Sequence, residues 1–210
     1  MRVLLLVAAT PLVLAAQNPT PSAGQQQPQP APLRFAASSF ASVEVHLNAR
    51  RIGGRWYEED AALTGPARIA IRYGQPHARG RRIEGGLVPR DTVWRFGANE
   101  ATVLHTDLDL TLGTTPLPHG DYSLYMLMTA NGWQLVINRE TGQWGSDYDA
   151  SRDVARVPLV ARTLAEPMET LVVLLIPESP RPSTGYAELR GTLKILWGRT
   201  ELSVPWSVRQ

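Results

Sequence analysis

The stretch YSLYMLMTANGWQLVIN (residues 122–138) decides the fold class of this chain. Two apolar runs, residues 122–128 and 133–138, lie on either side of Asn131 and Gly132. Asn-Gly is a dipeptide that tolerates the backbone angles of a tight hairpin turn, and both runs have the length and apolar content of strands. We therefore predict a β-hairpin in the centre of a sheet, with both faces of each strand buried.

An alternation of apolar and polar residues extends this strand pattern along much of the chain. It is present in SVEVHLN (42–48), PARIAIRY (66–73), TVLHTDLDLTL (102–112) and ELSVPW (201–206). A period of two is typical of half-buried antiparallel strands, and Gly, Pro and Asn interrupt it at short intervals. The run LVVLLI (171–176) predicts one more strand buried on both faces. We predict an all-β fold, an antiparallel two-sheet sandwich or jelly-roll-like domain with about ten short strands and little helix.

The N-terminus has the pattern of an export signal. A basic residue precedes an apolar run over residues 3–14, and Ala15, Ala16 and the polar Gln17 follow. Because the run is too short to span a bilayer, it favours a signal peptide over residues 1–16 rather than a retained membrane anchor. We therefore predict an exported protein, periplasmic or extracellular, with no membrane span in the mature chain.

The rest of the chain divides into a spacer and a folded domain. Residues 17–32 are rich in Gln and Pro and contain no charged residue. Such a composition cannot bury enough apolar surface to offset the entropy of ordering, so it predicts a disordered linker. Residues 33–210 have the length of a single domain, which we predict to be the β-sandwich.

The composition narrows the classes of partner and chemistry. The chain has 21 Lys and Arg residues against 19 Asp and Glu residues, and this balance argues against a nucleic-acid partner. The absence of Cys excludes thiol chemistry and disulfide bonds. Neither a Gly-x-Ser-x-Gly motif nor a glycine-rich phosphate loop is present. We predict no cofactor, and a small molecule, a glycan or an envelope protein as the partner.

The first candidate site is the polar stretch VWRFGANEATVLHTDLD (93–109). In a straight ribbon Glu100 faces the core, where a buried carboxylate requires a partner such as Arg95 or Arg81. On one interpretation, Arg95, Asn99 and Glu100 lock a structural corner. On the other, the corner borders a pocket in which Arg95 and Asn99 contact a polar ligand and Glu100 serves as acceptor or general base.

The second candidate site is the loop TGQWGSDYD (141–149). It places Trp144 and Tyr148 among polar residues, where aromatic rings are available for stacking on a ligand such as a sugar. The competing interpretation is that these rings close one end of the sandwich.

A metal site is the third possibility that the pattern raises. His105, Asp107 and Asp109 alternate on one face of a predicted strand, and His77 or His119 would add a second imidazole. Same-face side chains on a strand lie roughly 6.5–7 Å apart, which is wide for two ligands of one ion. We therefore predict no metal site and keep one at His105 and Asp107 as the alternative to a solvated strand face.

Several motifs resemble those of a known family. They are YGQPHARGRRIEGGLVPRDTVWRFGANEAT (73–102), LPHGDYSLYML (117–127), WQLVINRETGQWGSDYD (133–149), RDVARVPL (152–159) and LKILWGRTELSVPW (193–206). Together they resemble the uncharacterised bacterial exported proteins grouped as domain of unknown function 2911. The resemblance implies an exported, β-rich domain. It implies no activity, so no catalytic residue is carried over.

On these grounds the sequence predicts a non-enzymatic module of the cell envelope that binds a ligand or a partner protein. The predicted binding residues are Arg81, Arg95, Asn99, Glu100, Trp144 and Tyr148. The alternative is a hydrolase, with or without a metal ion, that uses Glu100 as its base.

Overall fold

The structure is a computed structural model that describes residues 36–47, 49–52, 55–58, 67–178 and 189–209. The predicted signal peptide and linker lie outside these residues. The described strands are β1 (Ser39–His46), β2 (Ala49–Ile52), β3 (Arg55–Glu58), β4 (Arg68–Gln75), β5 (Val93–Trp94), β6 (Thr102–Thr106), β7 (Leu110–Leu112), β8 (Thr115–Leu117), β9 (Gly120–Thr129), β10 (Gly132–Asn138), β11 (Asp153–Pro177) and β12 (Arg190–Val208). Within this part of the chain the one helical element is a 3₁₀ turn at Ala150–Arg152, and no helix is long and apolar enough to cross a membrane.

Ten of these strands form one antiparallel ladder in the order β1-β4-β6-β9-β10-β11-β12-β7-β8, with β5 paired to β9. A separate hairpin contains β2 and β3. The ladder folds over through β11, whose residues 153–159 pair with β10 and whose later residues pair with β12. Apolar side chains from both parts of the ladder meet in one core. The ladder does not close into a barrel, and the predicted all-β antiparallel fold is confirmed.

The hairpin of residues 122–138 forms as β9 and β10. Thr129 pairs with Gly132 across the turn, and Gly132 has a positive φ of 114°. All residues from 122 to 128 are buried, because β9 lies between β6 and β10 and has its inner face in the core. Its outer face is covered as well, in a second apolar cluster that includes Tyr125 and Tyr148.

The segment 171–176 differs from its prediction. Its odd-numbered residues are buried, but Leu174 and Ile176 are 37% and 41% exposed. The prediction of burial on both faces is wrong because β11 and β12 form an outer layer with one face toward the core. Both strands are also long, at 25 and 19 residues.

Two tryptophans connect the two layers of the sandwich. Trp94 in β5 stacks on Trp197 in β12, with ring centroids 5.5 Å apart and an interplanar angle of 20°. The indole Nε1 of Trp197 donates to the carbonyl of Glu169 at 3.3 Å. Aromatic pairs of this kind add to the stability that their buried area provides.

Candidate functional site

The corner between β5 and β6 is fixed against β4 by its backbone. Phe96, Gly97 and Asn99 have positive φ angles of 43°, 146° and 65°, and Gly and Asn are the residues that tolerate such angles best. Ala98 donates its N–H to the carbonyl of Gly74 at 3.0 Å. The contact is so close that a Cβ on Gly74 would lie 1.8 Å from the Ala98 oxygen.

This corner places Glu100 on the surface, so the prediction of a core-facing carboxylate is wrong. The Glu100 side chain is 57% exposed, and its Oε2 lies 3.8 Å from Nη2 of Arg72. The prediction assumed a straight ribbon, but the left-handed residues before Glu100 turn the backbone and end the alternation of faces. An ion pair this exposed contributes little to stability, so Arg72 and Glu100 remain available to a ligand.

The two arginines that were predicted to pair with Glu100 lie elsewhere. Arg81 donates from Nε to the carbonyl of Ala78 at 3.0 Å and from Nη2 to the carbonyl of His77 at 2.7 Å, which stabilises its own turn. The stem of Arg95 lies along Gly145, where an added Cβ would come within 3.1 Å of the Arg95 Cδ. Within the described part of the chain, the Arg95 guanidinium makes no hydrogen bond or ion pair.

Asn99 and Trp144 join the two candidate sites through the backbone. Gly145 donates its N–H to the Asn99 carbonyl at 2.9 Å, and Ala101 donates to the Gln143 carbonyl at 3.2 Å. Between these bonds Glu100 and Trp144 form an antiparallel bridge, so their side chains are neighbours on one face. Trp144 is 50% exposed and presents its ring beside the corner.

Tyr148 anchors the same loop from inside. Its ring packs on Tyr125 with centroids 4.8 Å apart, and its hydroxyl donates to Oδ2 of Asp153 at 2.7 Å. Burial, together with the hydrogen bond to the Asp153 carboxylate, raises the pKa of Tyr148 to about 12. Arg156 pairs with the same carboxylate oxygen at 3.0 Å. Tyr148 therefore anchors the loop that carries Trp144.

A groove of about 530 Å³ crosses the outer face of β1, β4 and β6, and we call it the β4 groove. Its floor centres on Ala70, which the strand register places between Glu44 of β1 and His105 of β6. Arg68 and Arg72 lie on the same face of β4, two residues to either side of Ala70. A methyl group surrounded by four long polar side chains leaves a depression above the sheet.

Phe40 and Glu100 line the end of the groove near Arg72. The Phe40 ring is 56% exposed and lies 5.8 Å from the Arg72 guanidinium carbon. Glu100 follows on the other side of Arg72, and Trp144 lies next to Glu100. Of the predicted site residues, Glu100 and His105 line the groove.

His105 is held between two carboxylates at the opposite wall. Its Nδ1 lies 2.8 Å from Oδ1 of Asp121, and its Nε2 lies 2.9 Å from Oδ1 of Asp107. The hydrogen bond to Asp121 raises the pKa of His105, partial burial opposes this, and the hydrogen bond to Asp107 adds to it. Both ring nitrogens can donate at once in the imidazolium form, and this arrangement favours that charged form.

The metal alternative at His105 and Asp107 gains no further ligand from the other imidazoles. Nδ1 of His77 lies 2.9 Å from Oγ1 of Thr170, and Nδ1 of His119 lies 2.9 Å from Oδ1 of Asp109. Within the described ranges, no group of three or more His, Cys, Asp and Glu side chains is arranged to hold a metal ion. The alternative stays a prediction.

One local pattern in the sequence indicates the β4 groove. In the segment 66–73 the core-facing residues are the isoleucines and Tyr73, so the outward face consists of Arg68, Ala70 and Arg72. A small residue between two arginines on a polar face predicts a depression between charges. The neighbours Glu44 and His105 become visible only with the strand order.

The family model described as "Protein of unknown function (DUF2911)" matches residues 58–206. The matched range contains β4, β6, the corner and the loop 141–149, and it is more than two thirds of the chain. The chain belongs to this family. Searches of curated proteins and of solved structures gave no significant match. In this DUF2911 protein the groove residues on β4 and β6 lie inside the matched range, whereas Phe40 and Glu44 on β1 precede it.

Proposed function

We propose that this DUF2911 protein is an exported, non-enzymatic binding module of the cell envelope and that its ligand occupies the β4 groove. The observation that carries this proposal is the depression above Ala70, bounded by Arg68, Arg72, Glu44 and His105. A concave surface with a few convergent polar groups is the usual form of a ligand site. The walls stand on paired strands rather than on loops, so the site is already formed before a ligand arrives.

The contacts of the groove residues support binding rather than catalysis. Both nitrogens of His105 contact carboxylates, so its imidazole is engaged on both sides and is poorly placed to accept a proton from a substrate. Among the described residues, the Glu100 carboxylate has Arg72 as its ion-pair partner, with Nη2 of Arg72 3.8 Å from Oε2 of Glu100. The alternative of a hydrolase with Glu100 as base gains no support from these contacts and stays a prediction.

Export is the second part of the proposal and is supported by the sequence alone. Residues 1–16 have the composition of a signal peptide, and residues 17–32 have that of a spacer. The chain needs no disulfide bond for its stability, since it has no Cys. It therefore folds equally in a reducing or an oxidising compartment.

A ligand screen with one groove-filling variant tests the binding function. Ala70→Trp fills the depression from its floor, and Ala161→Trp adds the same indole at an exposed position of β11. The screen measures the shift in melting temperature with four panels: neutral oligosaccharides, short peptides, polyamines and dicarboxylates. We expect at least one panel to stabilise the native protein and Ala161→Trp but not Ala70→Trp. If no panel does so, or if Ala70→Trp responds like the native protein, the proposal fails.

A further inference from the structure

An aromatic and ionic row borders the β4 groove. The Arg72 guanidinium lies over Phe40 at 5.8 Å and within 3.8 Å of the Glu100 carboxylate, and Glu100 is the bridge partner of Trp144. The row thus has an exposed aromatic ring at each end and an exposed ion pair between them. From Phe40 to Trp144 the row spans four neighbouring backbone segments. At the usual interstrand spacing, the three intervals between them add up to roughly 14 Å.

The backbone of the two inner strands below the groove, β4 and β6, is not available to a ligand. β4 is paired with β1 on one edge and with β6 on the other, and β6 is paired with β4 and β9. An extended peptide that binds by strand addition needs a free edge with unpaired N–H and C=O groups. Recognition above β4 and β6 must therefore rely on side chains.

Charged groups of both signs surround the groove. Glu44, Glu100, Asp107 and Asp121 supply carboxylates, Arg68 and Arg72 supply guanidinium groups, and the His105 imidazole lies between Asp107 and Asp121. Such a surface neither attracts a polyanion nor concentrates a polycation. It offers both acceptors and donors: the carboxylates accept hydrogen bonds, and the guanidinium groups donate them.

A neutral ligand that presents hydroxyl groups along its edges and apolar C–H groups on its faces matches this surface. Sugar rings have both, and their faces stack on aromatic rings. We propose that the ligand of the β4 groove is a neutral oligosaccharide that stacks on Phe40 and Trp144 and bonds its hydroxyls to Arg72 and Glu100. A substituent of one sugar enters the depression above Ala70. This inference rests on the binding function proposed above.

The test uses the full mature chain and four defined probes: the β-1,4-linked tetrasaccharides of glucose, N-acetylglucosamine, xylose and mannose. Titration calorimetry measures the dissociation constant of each for the native protein, Phe40→Ala, Trp144→Ala and the control Leu174→Ala. Leu174 is an exposed apolar residue on β11, away from the groove. We expect at least one tetrasaccharide to bind. Its dissociation constant should rise roughly tenfold in each aromatic variant and stay unchanged in the control.

A salt series and the pattern of outcomes separate this inference from the binding function itself. Because the ligand is neutral, raising the salt concentration from about 50 to 500 mM should leave its affinity unchanged. If the tetrasaccharides fail but peptides, polyamines or dicarboxylates bind in a way that Ala70→Trp abolishes, the oligosaccharide inference is wrong and the binding function stands. If a tetrasaccharide binds but all three variants match the native protein, the assigned row is wrong. If no probe of any class binds, both proposals fail.

Discussion

At the scale of single residues, polar side chains divide between supporting the site and forming it. Tyr148 was predicted to contact a ligand, but its ring and hydroxyl are committed to Tyr125 and Asp153. His105 lies in the wall of the groove, where two carboxylates fix the plane of its ring. Both residues titrate differently in the folded and unfolded chain, and this makes their roles measurable.

The raised pKa of Tyr148 predicts a loss of stability at high pH. The unfolded value is 10.0 and the folded value is about 12, so the stabilisation by this group is complete below pH 10 and declines as the pH rises toward 12. Tyr148→Phe lacks this titration. We expect the difference in unfolding free energy between the native protein and Tyr148→Phe to shrink between pH 9 and pH 11.5, as measured by urea unfolding. A difference that stays constant over this range would contradict the buried position of the Tyr148 hydroxyl and its hydrogen bond to Asp153.

The contact of His105 with Asp121 predicts how the pKa of the imidazole changes when Asp121 is replaced. Because this hydrogen bond is the largest cause of the raised pKa, Asp121→Asn should lower the pKa of His105 in an NMR titration. The stabilisation that His105 provides is complete below its unfolded value of 6.5 and is lost as the pH rises through the folded value. Asp109→Asn is the matched control, since Asp109 contacts His119 and not His105. Equal His105 values in the two variants would refute the assignment.

At the scale of secondary structure elements, local pattern predicted the strands but not their neighbours. The hairpin β9 and β10 follows from 17 consecutive residues, because its pairing is local. The groove joins β1, β4 and β6, and the pairing of Ala70 with His105 depends on long-range order that no local period contains. Glu100 was misplaced for a different reason. Phe96 has a positive φ, and nothing about a phenylalanine indicates that angle.

The stacking of Trp94 on Trp197 predicts that loss of the Trp197 ring weakens the packing between the two layers. Trp197→Ala removes a buried ring and leaves a cavity between β5 and β12, so it should lower the unfolding free energy by about 3–5 kcal/mol. Trp144→Ala removes a half-exposed ring and should change it by about 0.5 kcal/mol or less. Chemical unfolding followed by circular dichroism measures both. Similar losses in the two variants would mean that Trp144 supports the fold rather than facing a ligand.

At the scale of the whole molecule, the strand order places the candidate site on one outer face of the ladder, and most of that face lies within the family match. The match over residues 58–206 confirms the family that the motifs suggested, and the family description names no activity. The function therefore has to come from the surface of this chain. The sequence could predict the fold class because alternation reflects burial directly. It could not predict a groove that three distant strands share.

For the whole molecule, we predict export and cleavage after Ala16. In a bacterial host the full chain should reach the periplasm or the medium with Gln17 as its first residue, because Ala15 and Ala16 provide small residues before the cut. N-terminal sequencing of the secreted protein identifies the cut. Leu5→Arg interrupts the apolar run and should keep the chain in the cytoplasm, whereas Ser22→Arg in the linker should not. Cytoplasmic accumulation of the native chain would contradict the signal peptide.

The long-range pairing of the strands has a consequence for the timing of folding. The hydroxyl of Tyr73 accepts a hydrogen bond from the N–H of Val173, 100 residues later, and Leu112 pairs with Trp206. The core cannot close until nearly the whole chain has been synthesised, which takes about 10–40 s for 210 residues. Folding then takes roughly milliseconds to seconds, as in other β-rich domains of high contact order. During synthesis the core therefore stays open, and an open core is compatible with the export proposed above.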